Sequence, residues 1–223
     1  RASRTMPFVA KVTGNQIIKA GTLLMLGYSI DEVRNKTKYL SSSSNKVAIK
    51  KAIFPWSRFP AEDTMLGPEM KATGEVLGVG KEFGTALNKA YAAAGVEINN
   101  KEKGIFVTLS DSEKPNFIKT VNKYLELGFK LYSTEGTGKF LETNGIDSVI
   151  VGKADDLGQT SLTIIEDKLV SLVINTPTYA NELSDGWKIR RLSHETGVAV
   201  VSSVREADAF IEAFLNQNLV LDD

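Results

Sequence analysis

Gly104-Ile105-Phe106-Val107-Thr108-Leu109-Ser110-Asp111-Ser112-Glu113-Lys114-Pro115 is the stretch that decides the fold. Ile105 to Leu109 reads as a buried strand. Ser110 to Pro115 is a helix-start signature, with proline tolerated in the first helical turn. Phe117, Ile118, Val121, Tyr124 and Leu125 then recur at helical spacing, and Gly128 closes the helix. The same cycle repeats downstream. Phe129 to Ser133 predicts a second strand, Thr134-Glu135-Gly136-Thr137-Gly138 a loop, and the following residues a short helix to Gly145. Ser148 to Val151, Leu169 to Ile174 and Val198 to Val201 complete five strands. Trp187 to His194 predicts a helix, and Ser203 with Glu206 caps a last one reaching about Asn216. Strands alternating with helices imply an α/β fold. The expectation for residues 101–223 is a Rossmann-like parallel five-stranded sheet flanked by helices.

Working back from Gly104, the rhythm differs. Phe83, Ala86, Leu87, Ala90, Tyr91 and Ala94 lie on one helical face that Gly95 ends. Gly67, Pro68, Gly74, Gly78 and Gly80 predict a loop before it. Val47 to Pro60 reads as strand, then turn; Ser41 to Ser44 is a polar loop. Ser29 and Glu32 form a capping box within a mostly helical start, where Ile17, Ile18, Leu24 and Met25 recur. The polar run ending at Lys103 marks a boundary, giving a mixed α+β segment at 1–100 and a second domain at 101–223.

The 223 residues are 42% hydrophobic and 24% charged, with 27 Lys plus Arg against 27 Asp plus Glu. A zero balance argues against a nucleic-acid or membrane-surface binder. No apolar run approaches the ~20 residues of a membrane helix. With no cysteine and one histidine, thiolate nucleophiles are excluded and a zinc site is not expected. The opening Arg1-Ala2-Ser3-Arg4 is what a piece of a longer chain would show.

Ligands of open parallel sheets sit beyond the carboxyl ends of the strands. Here those ends carry Ser110, Asp111, Ser112 and Lys114; then Thr134, Gly136 and Thr137; then Gly152-Lys153; then Asn175-Thr176-Pro177-Thr178. Hydroxyls, glycines that admit a close anion, a helix amino-terminus and two lysines suit a phosphate. Asn175 suits a base or ribose. Each residue alone has a plainer reading as a turn or a solvated lysine; the recurrence at successive strand ends is the signal. His194, alone in a helix, reads as structural or solvated, and Asp155 and Asp156 as a surface loop. These residues describe a binding module for a small phosphorylated molecule.

Three segments carry a family resemblance: Arg1-Ala2-Ser3-Arg4-Thr5-Met6-Pro7-Phe8 with Lys11-Val12-Thr13-Gly14; Phe59-Pro60; and Leu66-Gly67-Pro68-Glu69-Met70-Lys71-Ala72-Thr73-Gly74-Glu75-Val76-Leu77-Gly78. They resemble the carbamoyl phosphate synthetase large subunits. The resemblance covers essentially the whole chain, since the second half looks like that family's methylglyoxal-synthase-like regulatory domain. It implies that residues 1–100 end an ATP-grasp domain, whose metal-binding Glu and Asn lie outside this chain. It places Arg1 at the edge of that catalytic site and Arg4, Lys50, Met70 and Glu75 along an internal substrate passage; a buried, paired charge network is the plainer and compatible reading. It assigns Lys114, Thr134, Gly136, Thr137, Lys153 and Asn175 to a nucleotide effector of the uridylate or inosinate type. Lys153 favours a nucleotide over acetylglutamate.

Two departures from the family stand out. Pro177 replaces a ligand-contacting Thr, with Thr178 as a substitute. Lys51 stands where ornithine-activated relatives have an acid, and Val200 and Ser202 where they have Tyr and Thr; no ornithine activation is expected. The resemblance further implies ATP with Mg²⁺ or Mn²⁺ in the full-length ligase, no metal or cofactor on this segment besides the effector, a glutaminase small subunit as partner, self-association through the regulatory domain, no nucleic acid or membrane partner, a cytoplasmic location, and a segment inactive alone. A free-standing methylglyoxal synthase or inosinate cyclohydrolase, or an oligomerisation module, are the competing readings. The first lacks a carboxylate at Gly158-Gln159-Thr160 and near Asn175, and leaves the first hundred residues unexplained.

Overall fold

The computed structural model describes residues 5–38, 45–54, 56, 64, 74–96, 98, 104–177 and 184–216. Three short helices come first: α1 (Thr5–Thr13), α2 (Ile17–Met25) and α3 (Ile30–Lys36). The capping box is present at α3, where Ser29 Oγ accepts from Glu32 N and Glu32 Oε2 accepts from Ser29 N at 2.8 Å. β1 (Val47–Ile53) and β2 (Gly74–Gly80) pair antiparallel, and α4 (Phe83–Ala93) lies against both.

The expected loop at Gly74–Gly80 is therefore a strand. Its glycines are there for contact. A Cβ on Gly78 would stand 2.0 Å from Ala86 O and 2.5 Å from Ala90 N, so the helix can only rest on the hairpin where no side chain intervenes.

The larger sheet has the order β5-β4-β3-β6-β7, all parallel. Its strands are β3 (Gly104–Thr108), β4 (Lys130–Thr134), β5 (Val149–Val151), β6 (Val170–Asn175) and β7 (Ala199–Val201). The helices are α5 (Lys114–Glu126), α6 (Glu135–Thr143), α7 (Thr163–Glu166), α8 (Asp185–Thr196) and α9 (Val204–Leu215). Successive residues of a strand face opposite sides. Ile105, Val107, Leu131, Leu172 and Ile174 accordingly join one core with Phe117, Val121 and Tyr124 of α5 and Phe210 and Phe214 of α9. Phe106, Tyr132 and Val173 join a second with Ile164 and Ile165 of α7 and Ile189 of α8. The one-turn α7 is an element that sequence periodicity did not announce.

The two parts of the chain share packing. Leu87 of α4 and Ile98 belong to the first core. Asn88 Nδ2 donates to Ala213 O at 2.6 Å and Asn216 O at 2.8 Å, holding α4 on the end of α9. Gly84 lets the two helices meet: a Cβ there would be 2.2 Å from Glu212 O. Among the described residues no helix is long and apolar enough to cross a membrane.

Candidate functional site

The strand order reverses between β3 and β6: β4 and β5 lie on one side of β3, β6 and β7 on the other. At such a switch point the loops diverge and leave a crevice. Thr137, in the first turn after β4, is 2% exposed, its Oγ1 accepting from Leu109 N at 3.1 Å and from Thr134 Oγ1 at 3.3 Å. Between the ends of β3 and β6, Thr176 Oγ1 accepts from Ser110 N at 2.8 Å, and Ser110 Oγ lies 3.2 Å from Ser112 Oγ. The ends of β3, β4 and β6 are thus tied by hydroxyls. Ser110 and Thr176 matter more to this network than their plain sequence context suggested.

Thr134 to Gly138, expected as a loop, is the cap and first turn of α6. Thr134 is its N-cap residue and the helix starts at Glu135. The physical reason is that β4 runs straight into the helix, with Thr137 and Gly138 buried in its first turn. Gly136 has nothing within 4 Å of where a Cβ would stand, so the amino-terminal turn of α6 is open on that side. Helix amino-termini present unpaired N–H groups and a positive dipole end.

The two candidate lysines differ in their surroundings. Lys114 Nζ is ion-paired to Asp111 Oδ1 at 2.6 Å; the lysine side chain is largely covered and the aspartate open. Lys153 is exposed at the end of β5, its N–H donating to Asp156 Oδ2 at 2.7 Å. Glu135, at the start of α6, is held below the usual carboxylate range, first by its hydrogen bond from Lys139, with the field of Lys153 adding to it. Lys153 therefore stands within electrostatic reach of that turn. Asp155 pairs with Lys188 of α8 at 2.7 Å, tying the β5–α7 loop to the other wall.

Asn175 differs from its expectation as an open reader of a base. It is 3% exposed and its Oδ1 accepts from Arg190 Nη1 at 2.8 Å. Arg190, 3% exposed on α8, is a residue that sequence reasoning missed: nothing in Ile189-Arg190-Arg191 signals that a charged side chain turns inward. Lys50 and Glu75, expected to line a passage, face each other across β1–β2 at 2.6 Å, both about one-third exposed. Arg1, Arg4, Met70 and Thr178 lie outside the described residues. Among the described residues no three His, Cys, Asp or Glu side chains gather as a metal site would require.

A separate cavity of about 360 Å³ opens between β1 and the β7–α9 end of the sheet. Lys51, Val200 and Ser202, named above as departures, all line it. His194 is there too, tilted against Trp56 with ring centroids 5.7 Å apart. Burial, with the positive fields of Lys51, Arg191 and Arg190, takes its imidazole down to about 4.

The parallel sheet with hydroxyls and an open helix start at its strand ends is a doubly wound ligand-binding class of fold, and the family model for the MGS-like domain matches residues 116–202. The chain is 36% identical over 227 residues to the carbamoyl phosphate synthase large chain, C-terminal section, of Aquifex aeolicus (strain VF5), covering 96% of this chain and 42% of that one. It is 35% identical over 221 residues to the corresponding section from Methanocaldococcus jannaschii, covering 96% and 36%. It is 38% identical over 221 residues to the carbamoyl phosphate synthase large chain of Brucella suis biovar 1, covering 96% and 19%. The chain belongs to this family, as a carboxyl-terminal section of the carbamoyl phosphate synthase large chain. It spans less than half the length of these relatives.

Proposed function

We propose that this chain is the regulatory end of a carbamoyl phosphate synthetase and binds a nucleotide monophosphate of the uridylate or inosinate type at the β3–β6 switch point. The observation that supports the reading is the open first turn of α6, with Thr137 tied to Leu109 and Lys153 within electrostatic reach of Glu135. The phosphate would sit on the N–H groups of that turn, with Thr134 and Thr137 as hydroxyl partners and the two ammonium groups as counter-charge. Asn175 would meet the nucleoside.

In the same reading, residues 1–100 close an ATP-grasp unit whose ATP and Mg²⁺ or Mn²⁺ are held elsewhere in the full protein. Arg1 edges its catalytic site, and Arg4, Lys50, Met70 and Glu75 border its substrate passage. The full enzyme would join bicarbonate and glutamine-derived ammonia at the expense of ATP, with a glutaminase subunit as partner, and self-associate through the regulatory domain. Lys51 in the β1 cavity would repel a diamine, so ornithine would not activate.

The test is a calorimetric titration of the full-length protein with uridylate and, separately, inosinate. One of the two is expected to saturate, with at least a tenfold loss of affinity in Lys153→Ala and Thr137→Val. Absence of saturation by either nucleotide, or equal affinity in both variants, would end the reading. Turnover of dihydroxyacetone phosphate by the protein would replace it with the methylglyoxal synthase alternative.

A further inference from the structure

The loop between β3 and α5 holds one of the two lysines assigned to the effector phosphate, and folds it against an acid. Ser110 O accepts from Glu113 N at 3.0 Å and from Lys114 N at 3.3 Å, closing a turn that leads into α5. The start of the turn is fixed twice: Leu109 N donates to Thr137 Oγ1 in the first turn of α6, and Ser110 N donates to Thr176 Oγ1 just after β6. The same turn brings the Asp111 carboxylate to Lys114, with Oδ1 and Nζ 2.6 Å apart.

The two members of this pair are not alike. The Lys114 side chain is 16% exposed and the Asp111 side chain 95%. The lysine is covered by its surroundings, while the aspartate stands in water. The hydrogen bond from Lys114, and then its charge, keep the Asp111 carboxyl below the usual carboxylate range. An ion pair with one member in solvent adds little to folding. The hydrogen bonds that close and anchor the turn do not use the Asp111 side chain. Asp111 can therefore leave without unmaking the turn, and its departure releases a cation. A phosphate monoester brings a charge of about −1.5 to −2 near neutral pH and several acceptor oxygens, more than one carboxylate offers. Glu135, the acid at the start of α6, is placed differently, since it bonds Lys139 of its own helix at 2.7 Å.

We propose that Asp111 is an internal competitor for the effector phosphate: in the free protein its carboxylate occupies Lys114, and an arriving phosphate takes that place as Asp111 turns out into solvent. This inference rests on the nucleotide reading given above and adds the residue that sets the affinity. The exchange needs rotation about the Asp111 side-chain bonds and no change of the backbone. It keeps Lys114 neutralised when the site is empty. It also subtracts the lost ion pair from the binding of every anion, so a strongly charged group such as a phosphate is taken and a weakly charged one is not.

The experiment is a calorimetric titration of the full-length protein with uridylate and inosinate, in the parent and in Asp111→Asn. Asp111→Asn should bind the saturating nucleotide about threefold more tightly or better, the size expected for releasing a solvent-exposed pair. Its urea midpoint should hold or fall slightly, because α5 loses an acid near its amino-terminus. A gain of affinity without a gain of stability is not what a damaged turn produces. Two further measurements ask whether the effect runs through Lys114. In a Lys114→Met background the Asp111→Asn change should no longer tighten binding, as a double-mutant cycle reads directly. Should Lys114→Met bind too weakly to titrate, the gain in Asp111→Asn alone is followed at about 0.5 M salt, where diffuse repulsion is screened within a few ångströms and an exchange of contact partners persists. Equal or weaker binding by Asp111→Asn, a gain that survives Lys114→Met, or a gain abolished by salt overturns the proposal and leaves the nucleotide reading standing. Failure of the parent to bind either nucleotide overturns both.

Discussion

Two side chains show how much a single hydrogen-bond partner decides. A guanidinium only donates, so the contact from Arg190 fixes Asn175 with Oδ1 toward α8 and leaves Nδ2 as the group available to a ligand. Asn175→Asp should therefore keep the fold, since an aspartate gains a charge-assisted bond to Arg190. It should lose the donor, and uridylate affinity should fall about tenfold while the urea midpoint holds. His194 is the second case. Its folded value of about 4 lies below the ~6.5 of a free imidazole, so between these values the unfolded chain binds a proton that the folded chain refuses. The stabilisation is complete above about pH 6.5 and is lost progressively as pH falls toward 4, amounting to at most roughly 3 kcal/mol. Lys51, Arg190 and Arg191 supply the opposing charge from β1 and α8. Unfolding midpoints from pH 7.5 to 4.5 should fall more steeply in the parent than in His194→Phe.

At the scale of elements, contact rather than periodicity wrote the parts that the sequence hid. The five parallel strands were legible because Ile105, Phe106 and Val107 form an unbroken buried run, as do Val170 to Asn175. The α5 stripe was legible through Phe117, Val121 and Tyr124, although Leu125 turns out 38% exposed. β2 was not legible, because glycine in a strand carries the same letters as glycine in a loop, and only the approach of α4 distinguishes them. The start of α6 was missed by the same ambiguity at Gly136 and Gly138. Of the candidate site, the lysines and hydroxyls were readable from strand ends; Arg190 was not, since its inward turn depends on packing between α8 and β6.

Two glycine substitutions separate these roles. Gly84→Ala drives a methyl onto the Glu212 carbonyl, a backbone atom with little room to yield, and should cost about 1–3 kcal/mol, read as a lower urea midpoint. Gly136→Ala meets nothing and sits in a helix, so stability should hold or rise by about 0.4–1 kcal/mol. The same methyl stands where a phosphate would approach, so nucleotide affinity should drop. A parallel fall in both properties would show that the turn is structural only.

For the molecule as a whole, the proposed nucleotide site raises the question of how its occupancy would be felt in the first hundred residues. α8 touches both. Arg190 faces Asn175 at the strand ends, and the next residue, Arg191, donates Nη2 to Trp56 O at 2.8 Å and Nε to Glu195 Oε1 at 2.7 Å. Trp56 belongs to the segment that follows β1, so one helix turn carries a fixed contact to each part. An effector acts only through a difference in its affinity for two states of the enzyme, and a displaced α8 would alter the Arg191–Trp56 contact as it alters the Arg190–Asn175 one. Arg191→Lys tests this without removing the charge. A planar fork serves Trp56 and Glu195 together, whereas an ammonium on a flexible stem keeps the ion pair and loses the second bond. Under the proposed function, uridylate should bind Arg191→Lys within twofold of the parent, while its effect on the carbamoyl phosphate formation proposed for the full-length protein should shrink severalfold. If binding and effect are both preserved, the signal crosses instead through the α4–α9 contact, where Asn88 holds the two helices together.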